Sequence, residues 1–480
     1  MKDLKSHRQV AERFLLHIWD GQHLKKEMRT TDGETVRVEC AGTWNFDSGP
    51  DFKNALIHIG GRTVTGDVEI HIKPRDWTAH GHHRDPRYNG VILHAVMWQT
   101  EASFETVKEN GETVSLLVLS DFLDEDIEKL SRKISQQQGW RCPRIAEIEQ
   151  IDTDALLKVI DAAAQQRLEG KIDRFKKRLK ELSEDDESLS PSDAWDQLLY
   201  EGVMEALGYS KNKEPFAELA RRLPLKQIRD RVTGQPPSSL PLKIQAMLFG
   251  VAGLLPSQSH RPVELDRSTL QYIQELERQW QLVEPTLGGR KMEAEQWQFF
   301  RLRPANFPTR RIAGVSFLLS RSIHKSLLSH LLQIAREHNQ GLFLARAKAA
   351  FTAETDDYWS KHYRFGRTAR AWGENNLLIG TQRADDIVIN VVFPVAILYA
   401  RSRRMKTMEE FLLNCYDSYG ELASNEITRS LVREILRGRR RISSSVKSAR
   451  RQQGLIHIYR QFCQRLNCAQ CPLLRCAGAK

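Results

Sequence analysis

Residues 49–73 read GPDFKNALIHIGGRTVTGDVEIHIK. The closing run, Asp67-Val68-Glu69-Ile70-His71-Ile72-Lys73, alternates polar and apolar residues, the period-two pattern of a β-strand. As a strand it carries Asp67, Glu69, His71 and Lys73 on one face and Val68, Ile70 and Ile72 on the other. Upstream, Ala55-Leu56-Ile57-His58-Ile59 reads as a second strand, and Gly60-Gly61 as the hairpin turn between them. Pairing the two strands brings Asp51, at the mouth of the first, near Glu69. A charged row on a strand is ordinarily a solvated face, and Asp51 is what changes that reading here. Two carboxylates beside a basic group on paired strands are what metal-dependent phosphodiester cleavage needs. The carboxylates hold Mg²⁺ or Mn²⁺, and the base or cation positions water and offsets charge.

The Pro50-Asp51 and Glu69-Ile70-His71 elements resemble the PD-(D/E)xK nuclease superfamily. The resemblance implies catalytic and metal-binding roles for Asp51 and Glu69, with His71 at the lysine position and Lys73 assisting. A neutral histidine serves as base or ligand but does not reproduce a permanent ammonium. The superfamily often places a glutamate on the helix before the hairpin, which makes Glu12 a further candidate. The whole chain also resembles the bacterial domain of unknown function 2851. That resemblance rests on GPDFKNALI, GDVEIHIKPRDWTAHGHH, YNGVILHAV, LRPANFPTRRIAG, YWSKHY and QQGLIHIYRQFCQRLNCAQC. It covers essentially the full length and implies no activity.

Composition sets the bounds. A chain of 480 residues supports two or three cores. The N-terminal stretch is amphipathic, without the apolar core and cleavage site of a secretory signal, and no uninterrupted apolar run reaches the length of a membrane span, so a cytoplasmic protein with no membrane association is expected. A net charge of +11 favours a polyanionic partner, nucleic acid above all. Arg433, Arg437, Arg439, Arg440, Arg441, Lys447, Arg450, Arg451 and Arg460 face only Glu434 in that stretch, the composition of a phosphate-binding strip or of a solvated surface.

Helical periodicity runs through residues 1–20, where Phe14, Leu15, Leu16, Ile18 and Trp19 cover more than one stripe. Strand-like runs follow at 35–39, 55–59, 64–72, 91–99 and 114–119. After about residue 125 the patterns are helical. The expected fold is therefore α+β, with a β-rich nuclease-like domain over 1–125 and helical domains over 126–290 and 291–455. A cysteine-clamped tail completes it over 456–480.

Three further groups carry chemistry. His80, His82 and Asp85 crowd a loop after the hairpin with His94 beyond, and neutral imidazoles there suit Zn²⁺, Mn²⁺ or Fe²⁺. This supports a different class of function, a histidine-rich metal hydrolase of a small substrate. Arg303, Arg310 and Arg311 lie on a proline-fixed segment able to fork around phosphate oxygens. Cys463, Cys468, Cys471 and Cys476 follow C-x4-C-x2-C-x4-C spacing, compact enough for one Zn²⁺ or one [4Fe–4S] cluster. The run resembles the cysteine loop of endonuclease-III-type DNA glycosylases, with shorter spacings and no helix-hairpin-helix to carry that chemistry. Cys40, Cys142 and Cys415 stand apart in sequence. The leading expectation is a metal-dependent nuclease acting on DNA or RNA; the alternative is a non-catalytic nucleic-acid-binding or scaffold protein.

Overall fold

The computed structural model describes residues 12–45, 49–100, 104–130, 142, 144–185, 189–209, 211–258, 265–299, 302–368, 377–435, 446–464 and 467–477. The fold is α+β, a mixed, curled sheet followed by a largely helical region. The chain divides into two compact units, Met1–Trp140 and Arg141–Lys480.

The first unit opens with helix α1 (Glu12–Asp20). Its strands are β1 (Met28–Arg29), β2 (Thr35–Cys40), β3 (Thr43–Trp44), β4 (Phe52–Ile59), β5 (Arg62–His71), β6 (Val91–Val96), β7 (Thr106–Val107) and β8 (Thr113–Val118). They are ordered β1-β2-β4-β5-β6-β8-β7, with β3 on β4. The β4–β5 hairpin turns at Gly60 and Gly61, with φ of 57° and 79°, as a tight turn matched to strand twist demands. From β5 the chain crosses over and returns as β6, parallel to β5, and β8 is parallel to β6. An antiparallel bridge from Thr30 to Leu117 links the two ends and curls the sheet.

Leu15, Ile18 and Trp19 of α1 join Phe52, Ile57, Val68, Ile70, Leu93, Ala95 and Leu117 in one buried cluster. This is the apolar face expected of β5. The opposite face is not solvated: Glu69 is 5% and His71 0% exposed, and His94 of β6 is also fully buried. Something must therefore compensate these polar groups, because an uncompensated buried charge costs several kcal/mol.

Among its described residues the second unit is largely helical, with a two-stranded ribbon, His362–Arg364 with Arg367–Thr368. Its longest helix, Thr153–Asp185, packs against Ala449–Ile458. The boundary expected at 290 runs through a shared core, since Trp280 and Leu287 belong to the same buried cluster as Ile312 and Val315. Residues Pro237–Gln258 are apolar and long enough to cross a membrane, but 67% of their apolar 18-residue window is buried, with Ile244, Met247 and Phe249 in the helical core.

Candidate metal centre

A bulge fixes the start of the site. Lys53 and Asn54 of β4 together oppose the single residue Asp67 of β5, where the register jumps between Phe52↔Val68 and Ala55↔Gly66. Asn54 takes a φ of 56°, a conformation asparagine tolerates better than most residues. Asp67 stitches the bulge. Its Oδ1 accepts from the Asn54 amide at 3.2 Å and its Oδ2 from Lys53 Nζ at 2.6 Å. Asp67 thus has a structural partner, and Lys53 supplies the cation beside it.

Beyond the bulge, Asp51 and Glu69 meet. The Asp51 amide donates to Glu69 Oε2 at 2.9 Å, and the Ile70 amide donates to Asp51 Oδ2 at 3.0 Å. The two carboxylates thus cap each other's backbone just before β4 begins. The hairpin therefore brings together the two residues the sequence paired.

The histidines arrive from the crossover. After β5 the chain turns into helix α2 (Asp76–Ala79), whose Trp77 is fully buried and donates Nε1–H to Val107 O at 2.9 Å. Gly81, at a φ of 80°, reverses the chain into the 3-10 turn His82–Arg84. Asp85 then caps a second turn, Pro86–Tyr88, by accepting from the Arg87 amide at 3.0 Å. These turns lay the Tyr88 ring on His82, centroids 3.9 Å apart, with Trp77 edge-on to His82 at 5.5 Å. The loop is thereby fixed by aromatic packing over the polar face of β5.

Four side chains converge there. His82 Nε2 lies 3.1 Å and His71 Nε2 3.4 Å from Glu69 Oε1. His71 Nε2 lies 3.1 Å from His80 Nδ1. Nitrogens of His71, His80 and His82 all fall within 4.8 Å of one another, and this is the one group of three or more potential ligands so placed among the described residues. Three imidazoles, with a carboxylate against two of them, form a donor set suited to Mn²⁺, Fe²⁺ or Zn²⁺ more than to Mg²⁺, which prefers an all-oxygen octahedron.

A second layer orients the first. His71 Nδ1 lies 2.8 Å from His94 Nε2, and His94 Nδ1 lies 2.8 Å from Thr106 Oγ1. Burial, and then the charge of His82, pull the His94 pKa down to about 3, so it is neutral across the physiological range. Burial above all, followed by the charge of Glu69, pushes the Tyr88 phenol well above its ordinary value, so it stays protonated.

The remaining sequence candidates are placed as follows. Glu12 is half-buried in the first turn of α1, whose Leu15 and Trp19 pack on the Val68 side of the sheet. Lys73 falls beyond β5 in the turn to α2, where its amide donates to Asp76 Oδ2 at 3.0 Å; the expected alternation through residue 73 stops at His71. Asp85 pairs with Arg87. Arg303 is exposed. Arg310 and Arg311 are not. They are 1% and 5% exposed and donate to backbone, Arg310 to Trp359 O and His362 O and Arg311 to Leu378 O, so the sequence reading of them as phosphate clamps is corrected. Both arginines lie in the helix Pro308–Ser322. In the basic stretch, Arg450 pairs with Asp417 and Arg451 with Asp161. Arg437, Arg439, Arg440, Arg441 and the Cys476 side chain lie outside the described residues.

Thr106 and Tyr88 carry no sequence signal for their roles; each is recruited by strand pairing or loop closure. The chain belongs to the family described as protein of unknown function (DUF2851), whose model matches residues 12–424. Neither a curated protein nor a solved structure matched the chain.

Proposed function

We propose that this family member is a metal-dependent hydrolase of phosphodiesters, with Glu69, His71, His80 and His82 as its metal ligands. The observation that carries the reading is the convergence of the three imidazoles within 4.8 Å, with Glu69 Oε1 against two of them. A buried cluster of this kind is costly to assemble without a cation to share. When bound, a divalent cation there would polarise the phosphoryl oxygen and lower the pKa of a water.

The chain's own groups divide the remaining work. With His94 neutral, a His71 tautomer protonated at Nδ1 donates to His94 Nε2, and His94 donates Nδ1–H to Thr106. That order leaves the His71 Nε2 lone pair aimed at the centre. Asp51 holds Glu69 in place through its amide and adds a second negative charge nearby. His80 is half-buried and is the ligand nearest solvent, suited to the side from which a substrate enters. Tyr88 and Trp77 keep His82 from turning away.

Support for a phosphodiester comes from the net charge of +11 and from Pro50-Asp51 just before one strand with Glu69 on its partner, which resembles the layout of PD-(D/E)xK nucleases. His71 replaces their lysine. The imidazole-rich donor set also fits a hydrolase of small esters, and the assay separates the two. Metal-free full-length protein is supplied in turn with Mn²⁺, Zn²⁺ and Mg²⁺ and offered single- and double-stranded DNA, RNA, a chromogenic phosphodiester and a chromogenic carboxylic ester. Cleavage of a phosphodiester with Mn²⁺ or Zn²⁺, lost in Glu69→Gln and His80→Ala, is the expected result. Turnover of the carboxylic ester alone would reject the phosphodiester assignment, and inertness with every metal would reject the hydrolase.

A further inference from the structure

The helix Thr153–Asp185 carries Arg167, Lys171 and Arg174 on one face, spaced four and three residues apart. The helix Ala449–Ile458 lies against it at Gly454, where a Cβ would fall 2.2 Å from Ile160 O, so the approach needs a glycine. The residue before it, Gln453, is 2% exposed. Its Oε1 accepts from Arg167 Nε at 2.7 Å and from Lys171 Nζ at 2.8 Å. Lys171 Nζ also donates to Asn390 Oδ1 at 2.6 Å. The Asn390 amide is held in that sense because its Nδ2 donates to Asp386 O at 2.7 Å.

Two cations thus share one neutral oxygen. Neighbouring arginines find carboxylates: Arg401 reaches Glu169 at 2.6 Å, Arg174 reaches Glu205 at 2.7 Å and Arg451 reaches Asp161 at 3.0 Å. Among the described residues Arg167 and Lys171 have only the amides. An amide orients a cation without cancelling its charge, and like charges this close repel. Donors are also left over. Arg167 spends Nε alone, which frees both terminal nitrogens, and Lys171 spends two of its three N–H groups. Burial, and then the charge of Arg460, lower the Arg167 pKa to about 10, and burial, and then the charge of Arg167, hold Lys171 well below its ordinary value.

Two irregular turns meet this spot. Asn390 belongs to a π-helical turn, Val388–Val392, and a second one, Tyr459–Cys463, follows the helix of Gln453 and carries the exposed Arg460. Such turns cost helix geometry and occur frequently at functional sites. We propose that Arg167 and Lys171, with Arg460 at the rim, form a binding site for one phosphate group, either free or on a mononucleotide. A tetrahedral oxyanion accepts from several directions, as the fork of Arg167 and the spare N–H of Lys171 require. Arg167 and Lys171 are half-buried between helices, which suits one small anion rather than a polymer strand. The site lies within the helical unit, and its reading does not depend on the hydrolase assignment.

Calorimetric titration of the full-length chain, in chelator so that no metal contributes, with inorganic phosphate, adenosine 5′-monophosphate and a single-stranded oligonucleotide tests the site. One phosphate or one mononucleotide per chain is expected to bind, and the stronger of the two identifies the source. Lys171→Met and Arg167→Gln should each weaken that binding by about tenfold or more, as loss of a charged hydrogen bond does. Lys406→Ala, which removes an exposed charge elsewhere, should leave it unchanged. Gln453→Glu keeps the shape and places a carboxylate between the two cations. It should abolish phosphate binding and raise the melting temperature of the ligand-free chain, so the proposal stays testable if Lys171→Met fails to fold. Binding of the oligonucleotide alone, or phosphate binding that survives Gln453→Glu, would overturn the proposal, as would a ligand-free Gln453→Glu chain that melts lower than wild type.

Discussion

His71 Nδ1 and His94 Nε2 lie 2.8 Å apart in the buried side of the sheet, and both side chains are fully buried. The pair sets which nitrogen His71 offers to the centre. Removing such an outer partner typically costs 10–100-fold in metal affinity. His94→Gln should therefore weaken Mn²⁺ binding by roughly that factor, and Thr106→Val should act in the same direction, less strongly. Calorimetric titration of the metal-free full-length chain measures both. Unchanged affinity in His94→Gln would remove His94 from the site.

The same histidine makes stability depend on pH. Its pKa is about 3 in the folded chain against an ordinary value near 6.5, so the unfolded state binds the proton first. The associated stability is complete above pH 6.5 and is lost as pH falls toward 3. At about 1.4 kcal/mol per pH unit, the loss reaches up to about 5 kcal/mol. Thermal melts of metal-free protein across that window should show a steeper decline for the wild type than for His94→Gln. Parallel curves would contradict the assignment.

The arginines of the proline-fixed segment divide by burial. Arg310→Ala leaves the carbonyls of Trp359 and His362 without their donor, each at a cost of about 1–3 kcal/mol. Arg303→Ala, at an exposed position, should stay within about 0.5 kcal/mol of wild type. Urea unfolding compares them. If nucleic acid is the partner, Arg303→Glu should weaken binding and flatten its salt dependence by about one counterion.

Asp51→Asn and Glu69→Gln keep size and hydrogen bonds to backbone but remove charge. Both should abolish Mn²⁺-dependent cleavage while leaving nucleic-acid binding intact, as a loss confined to the chemical step requires. Binding lost in step with cleavage would assign the carboxylates to folding instead.

The hairpin was legible because its signals are local. Alternation in β5, the Gly60-Gly61 turn and Asp51 at the strand mouth fix one register, and that register joins Asp51 to Glu69. His80 and His82 were legible as metal-ligating types, but their meeting with His71 depends on the turn at Gly81 and the Tyr88 stack. Alternation overreached at both ends of the strand: the bulge takes Asp67 for Lys53 and Asn54, and Lys73 lies past the last pair. Arg310 and Arg311 misled because arginine reads the same whether it meets phosphate or buried carbonyls.

The central claim is that Glu69, His71, His80 and His82 hold one divalent cation, and anomalous diffraction from Mn²⁺-soaked crystals of the full-length chain tests it most directly. One manganese peak bonded to His71 Nε2, His80 Nδ1, His82 Nε2 and Glu69 Oε1 is expected, absent from His80→Ala crystals. A wild-type map at saturating Mn²⁺ with no peak between these three histidines would contradict it.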